Sequence, residues 1–492
     1  MILRWAQVGP RFLPFADAAS PDLPLARLLR LSLFQVSIGM ALVLLVGTLN
    51  RVMIVELGVP ASLVAVMVSL PVLYAPFRAL VGFRSDTHRS ALGWRRVPFI
   101  WMGSMIQFGG LAVMPFALLV LSGGGNAAAW PAWVGQVGAG LCFLMVGAGM
   151  HTVQTAGLAL ATDLAPPETH PRVVGLMYVM LLVGSIGSAL IFGAFLQDFT
   201  PARLVQVIQA AAVATLVFNG LALWKQESRD PARYRRMANP EAVPEFGAAW
   251  RAYSVCPGVR QRLAAIALGT MAFSMQDVLL EPYGGQVLGM GVGATTWLTA
   301  ALALGGLVGF ALASAVLSRG ADPARMAMMG AWGGMPAFIG VMMVASNPSV
   351  VLFTCSVALI GFGAGLFSHG TLTLTMQSAP KEQTGMALGV WGAVQATAAG
   401  LAVALGGLLR DLVDAYAAQG TFGPDLARPA TGYAFVYGVE IMLLCATLLV
   451  MWASVGAGSR SGASRASTSA LPKGAKSGAE FGAPVVDQNP TR

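Results

Sequence analysis

Ala165-Pro166-Pro167-Glu168, followed by Val174-Gly175-Leu176-Met177, has a counterpart later in the chain. The second copy is Ala379-Pro380-Lys381-Glu382, followed by Thr384-Gly385-Met386-Ala387. Each copy leads into a glycine-punctuated apolar run. A membrane-spanning helix needs roughly 20 apolar residues. Working outward, twelve such runs are found, at about 29–50, 60–82, 97–121, 132–160, 172–197, 203–224, 261–282, 292–317, 326–345, 350–376, 384–409 and 432–454. Each copy of the Ala-Pro motif stands just before the fifth run of a set of six. The longest internal connector, 225–260, divides the sets and is charged, with Arg233, Arg235 and Arg236 close together. Proline and glycine inside the runs are tolerable, because neighbouring helices can satisfy freed backbone groups.

Composition agrees with this reading. Of 492 residues, 56% are hydrophobic and only 10% charged, and mean hydropathy is +0.70. A soluble domain carries about 25% charged residues, so a water-facing surface on this chain is excluded. Glycine, at 59 residues, suits close helix–helix approach in lipid. Cys142, Cys256, Cys355 and Cys445 form no CxxC pair, and no disulfide or structural metal is expected.

The net charge of +9 marks topology and not nucleic-acid binding. With the N-terminus in the cytoplasm, 25 of the 30 Lys and Arg residues fall on the cytoplasmic side. Arg51, Arg203, Arg410 and Arg428 fall on the other side, and Arg78 lies within the second run. The positive-inside rule then puts both termini inside, in a bacterial inner membrane. Residues 1–27, with Asp17, Asp22 and several prolines, read as a cytoplasmic arm and not as a cleaved signal. The expected division is an N-terminal six-helix bundle at 28–224, a cytoplasmic linker at 225–260, a C-terminal six-helix bundle at 261–455 and a disordered cytoplasmic tail at 456–492. A six-plus-six duplication is the plan of the major facilitator superfamily. The fold class expected is therefore an all-α polytopic membrane protein of that kind, with twelve transmembrane helices as two six-helix bundles.

Gly82-Phe83-Arg84-Ser85-Asp86-Thr87-His88-Arg89, then Gly93-Trp94-Arg95-Arg96, resembles the facilitator loop between the second and third helices. Glycine there permits a tight turn, and paired Asp–Arg hydrogen bonds hold the cytoplasmic helix ends together. Asp86 is the expected acceptor, and Arg84, Arg89, Arg95 and Arg96 are candidate latch charges. The alternative is ordinary positive-inside charge. Ser318-Arg319-Gly320-Ala321-Asp322 is only a partial echo in the second set.

Charges at membrane depth are functional candidates. Asp277 and Glu281 lie four residues apart near the outer end of the seventh run, on one face of a helix. Glu440 lies inside the twelfth run and Arg78 inside the second. Either they bind protons or charged solute, or they serve structural pairing and snorkelling. Arg51 and Glu56 read as structural. His151 and His369 lie inside the fourth and tenth runs. A membrane imidazole can ligate a magnesium tetrapyrrole through an unprotonated nitrogen, with Gly147, Gly149, Gly365 and Gly370 leaving room for it. A helix–helix hydrogen bond is the competing reading.

Longer stretches are more specific. They are Pro10-Arg11-Phe12-Leu13-Pro14-Phe15-Ala16-Asp17, Leu28-Leu29-Arg30-Leu31-Ser32-Leu33-Phe34-Gln35, Gly47-Thr48-Leu49-Asn50-Arg51-Val52-Met53-Ile54-Val55-Glu56-Leu57, Ala75-Pro76-Phe77-Arg78-Ala79-Leu80 and Ser85–Arg96. Over about 9–455 the chain resembles the PucC/LhaA family of photosynthetic purple bacteria, also described as bacteriochlorophyll delivery proteins. The resemblance implies a non-enzymatic role in assembling light-harvesting antennas, with bacteriochlorophyll as a carried ligand. It implies LH1 or LH2 antenna polypeptides as partners, together with bacteriochlorophyll synthesis enzymes, protein-insertion machinery and membrane lipids. The N-terminal arm resembles LhaA members slightly more, which favours LH1 over LH2. No nucleotide-binding loop and no nucleophilic triad is evident. Two other functions remain open: a proton-coupled solute transporter, and a pigment-free scaffold for antenna assembly.

Overall fold

The computed structural model describes residues 23–74, 77–87, 94–166, 169–227, 258–378, 384–421, 423 and 428–468. Their regular structure is entirely helical. In chain order the helices are α1 Leu25–Glu56, α2 Ala61–Leu73, α3 Phe77–Thr87, α4 Val97–Leu121, α5 Ala132–Leu164, α6 His170–Phe195 and α7 Pro201–Leu223. Then come α8 Val259–Ser274, α9 Leu280–Leu288, α10 Val292–Leu317, α11 Pro323–Val344, α12 Val350–Ser378, α13 Thr384–Ala418 and α14 Ala430–Thr468. Ten helices among the described residues are long and apolar enough to cross a membrane, and an eleventh crossing is the pair α8 and α9, bent by 44°. The remaining run is split between α2 and α3. The chain is a multi-pass membrane protein.

The helices pack as two sets. In the first, α4 lies on α5 and α7, and α1 on α6 and α7; in the second, α12 lies on α10 and α11, and α14 on α8 and α11. The sets meet reciprocally, α2 against α13 and α6 against α10. Counted by crossings, this joins the second of one set to the fifth of the other, twice. Glycine permits the tightest contacts. A Cβ on Gly305 would lie 1.9 Å from the Ala358 carbonyl oxygen, and one on Gly361 2.0 Å from that of Leu302. Such close approach supplies dispersion contact where lipid removes the hydrophobic drive between helices.

Two interruptions and one extension depart from the sequence expectations. In the second run α2 ends at Leu73, Tyr74 is in a turn, and α3 begins at Phe77. Gly82, expected in a tight turn, lies inside α3 with Ser85 and Asp86. The seventh run is likewise interrupted by a 3₁₀ turn at Met275–Val278. Pro282 cannot donate to the Val278 carbonyl four residues back, and Asn50 Nδ2 of α1 donates to that oxygen instead, at 2.8 Å. Finally, α14 runs to Thr468, into the segment expected to be a disordered tail.

Candidate functional site

The first charged cluster sits where α4 begins. Arg95 and Arg96 both donate to the Asp163 carboxylate at the end of α5, Arg96 through Nε at 3.0 Å. Arg96 also donates to Ser85 Oγ of α3 at 2.6 Å. The backbone N–H groups of Arg95, Arg96 and Val97 donate to the Glu227 carboxylate at 2.7, 3.0 and 2.9 Å. A carboxylate on these open N–H groups also faces the positive end of the α4 dipole. The cluster thus binds α3, α4, α5 and the chain after α7 at one end. Arg84 is exposed. The Asp86 side chain and Arg89 lie outside the described residues. Asp163 and Glu227 were missed by sequence reasoning. Their only signal was an acidic residue at a helix end on the arginine-rich side.

Arg78 in α3 reaches across to α5, where its Nε donates to Thr155 Oγ1 at 3.1 Å. Thr155 in turn donates to the His151 carbonyl at 2.7 Å. His151 Nδ1 is buried without a hydrogen-bond partner, as is His369 Nδ1 in the other half. The His369 ring lies 4.2 Å from that of Phe310 in α10, at 59°. The glycines expected to leave room for a pigment do not. Cβ atoms on Gly147, Gly149, Gly365 and Gly370 would lie 2.3 Å from Pro71, 2.4 Å from Gln107, 2.4 Å from Gly306 and 2.7 Å from Ala327. Neighbouring helices fill these notches, because helix–helix dispersion there exceeds what an open notch would retain.

The structure brings Asp277 and Glu281 to one place, with Glu440 beside Asp277. The first two do not share a continuous α-helical face, as their spacing suggested, because the break falls between them. They line one small void all the same, with Gly47, Gln276 and Thr299. Thr299 donates to Glu281 Oε1. Glu440 of α14 is fully buried and faces Asp277.

Beside this void the two halves are tied together. Thr48 pairs with Thr296 at 3.3 Å, and Arg51 donates to the Met290 carbonyl at 3.1 Å and to Glu56 at 2.6 Å. Asp411 of α13 accepts from the Ser62 N–H at the start of α2, at 2.6 Å, while pairing with Arg410 at 2.8 Å. Trp297 Nε1 donates to the Leu190 carbonyl at 3.2 Å. All of these lie at the bundle end remote from the 225–260 connector. Asp411→Ala removes a helix-capping acceptor worth ~1 kcal/mol. We expect about fivefold faster thiol labelling of a cysteine placed at buried Thr296, measured in a background lacking the native cysteines. An unchanged rate would mean that Asp411 does not hold the halves closed.

Comparison with known proteins follows from this geometry. A family model described as PUCC protein matches residues 48–458. "Protein PucC" of Rhodovulum sulfidophilum is 64% identical over 410 residues, covering 83% of this chain and 90% of that one. "Protein PucC" of Cereibacter sphaeroides is 56% identical over 447 residues, covering 90% and 95%. Among solved structures, a D-xylose-proton symporter matches with a TM-score of 0.64 at 14% identity, covering 86% of this chain and 96% of that one. The last similarity is one of fold, and it is a facilitator-type fold.

Proposed function

Because the chain belongs to the PUCC protein family, we propose that it is an assembly factor for photosynthetic light-harvesting antennas that holds bacteriochlorophyll for transfer to antenna polypeptides. The family match carries this reading. The client is the core antenna LH1, in preference to LH2, on the slightly greater resemblance of the N-terminal arm to LhaA members. The work is done in the bacterial inner membrane, with both termini cytoplasmic and with pigment-synthesis enzymes and insertion machinery nearby. His151 and His369 support the pigment part, since each keeps a buried Nδ1 with no partner among the described residues. An unpartnered imidazole nitrogen is the donor that a chlorin magnesium needs.

The proton-coupled transporter remains a second reading, because buried carboxyl groups gather at the α8–α9 break. Protein purified in mild detergent from photosynthetically grown cells separates the readings. Its absorption spectrum is recorded beside mass spectrometry of bound partners. Bacteriochlorophyll together with LH1 polypeptides is the expected result, and His151→Leu with His369→Leu is expected to lose most of the pigment. Antenna polypeptides without pigment would leave a scaffold. Neither one, with other membrane complexes intact, would move the reading to transport. Unchanged pigment in the double variant would overturn the ligand assignment alone.

A further inference from the structure

Where α8 breaks, two carboxyl groups, Asp277 and Glu281, line one void and oxygen atoms are left over. The void has a volume of about 40 Å3, room for one water-sized particle or a small ion. Gln276 is 1% exposed. Its amide nitrogen donates to Asp277 Oδ1 at 2.5 Å and to the Phe273 carbonyl at 3.1 Å. That turns its Oε1 away from both, and Oε1 has no partner. Glu281, 3% exposed, uses Oε1 to accept from Thr299 and leaves Oε2 without a partner. A Cβ at Gly47 would lie 2.4 Å from Glu281 Oε1, so only glycine in α1 leaves space for this carboxyl group.

The titratable and charged groups nearest its two carboxyl groups from packed elements are Arg51 of α1, beside Glu281, and Glu440 of α14, beside Asp277, with Tyr283 and Tyr437 next to Glu440. Arg51 is already tied to Glu56 and to the Met290 carbonyl. The Tyr283 hydroxyl donates to the Val341 carbonyl at 3.1 Å. Burying ionised carboxylates without a counter-charge costs several kcal/mol each. A positive charge is therefore needed inside the void. Among the described residues, no three Asp, Glu, His or Cys side chains converge as a divalent ion would need. Carboxylate, amide and hydroxyl oxygens are donors for a small hard cation, and with only Asp277 and Glu281 as carboxyl groups on the void one of single charge fits.

We propose that the void at the α8–α9 break binds one small monovalent cation, H+ or Na+, and that its occupancy closes the remote ends of the two halves. The wall explains the coupling. Gly47 belongs to the first half and Gln276, Glu281 and Thr299 to the second. Occupancy draws them together, and emptying leaves like charges to repel. Asn50–Val278, Thr48–Thr296 and Arg51–Met290 lie within a few residues of this wall and open or close with it. The inference rests on the fold and is independent of the antenna reading, since its test uses the purified chain without pigment or antenna.

Backbone hydrogen exchange of residues 46–56 and 275–299 is followed in detergent. NaCl is first replaced by choline chloride at constant ionic strength and fixed pH. The pH is then varied without Na+. Protection that rises with Na+ assigns sodium; protection that rises only on acidification assigns the proton. Glu281→Gln is expected to weaken the response at least tenfold, and Gln276→Leu, which keeps every charge, to weaken it as well. Should Glu281→Gln fail to fold, the wild-type titration and Gln276→Leu still decide. Wild-type protection indifferent to both Na+ and pH overturns the proposal, and so does a response unchanged in both variants.

Discussion

Gly305→Leu or Gly361→Leu is expected to abolish the folded monomer. These glycines form a reciprocal contact between α10 and α12. Their absent Cβ atoms would stand 1.9 and 2.0 Å from carbonyl oxygens of the facing helix. No side chain can move aside there, because the obstacle is backbone. Overpacking a core usually costs ~1–3 kcal/mol, and here two helices must separate along their length. The same pair carries further contacts at Gly309 and Gly365, with Cβ positions 2.3 Å from Phe362 O and 2.4 Å from Gly306 O. Separation at one point therefore propagates along the helices. Size-exclusion chromatography in mild detergent is the measurement. Gly333→Leu is the control, since nothing lies within 4 Å of its Cβ position. A monodisperse Gly305→Leu protein would show that α10 and α12 do not pack as described.

The second large effect is expected from Asp163→Ala. This carboxylate receives both Arg95 and Arg96, and the Arg96 side chain is only 6% exposed. Removing one partner of a buried pair costs ~3–5 kcal/mol, mostly from the charge left behind. Asp163 itself is 33% exposed, so water offsets part of that. A loss of roughly 2–3 kcal/mol lies between this and the ~0–1 kcal/mol of an exposed pair. Thermal unfolding in detergent reads it, and Asp163→Glu should recover part of the loss. Arg203→Ala is the comparison, because the Arg203–Asp198 pair is 44% and 87% exposed, and it should change stability by no more than ~1 kcal/mol. Equal effects from the two variants would remove the latch role of Asp163.

Much of the architecture was legible before any tertiary contact was known. The apolar runs coincide with helices because a lipid-spanning segment must satisfy every backbone group within itself. The paired Ala-Pro motifs foretold the repeat, and the reciprocal α2–α13 and α6–α10 contacts are its spatial form. Arg95 and Arg96 were legible as latch cations. Their acceptors were not, for Asp163 lies 67 residues and Glu227 131 residues from Arg96. Hydropathy carries no information on which helix ends meet.

The sequence by itself determined where the chain crosses lipid, that most of its surface is too apolar to face water, and which family it resembles. Each of these depends on composition and order along one dimension. Only the tertiary structure decided what the polar residues do. It filled the glycine notches beside His151 and His369 with neighbouring helices. It broke the seventh crossing at Pro282 and let Asn50 repair the lost bond. It also carried Glu440 to Asp277 from the last crossing of the chain. The physical reason is common to all three. Within lipid, a polar group's partner is set by which helices pack, and packing depends on shape complementarity between segments far apart in the chain.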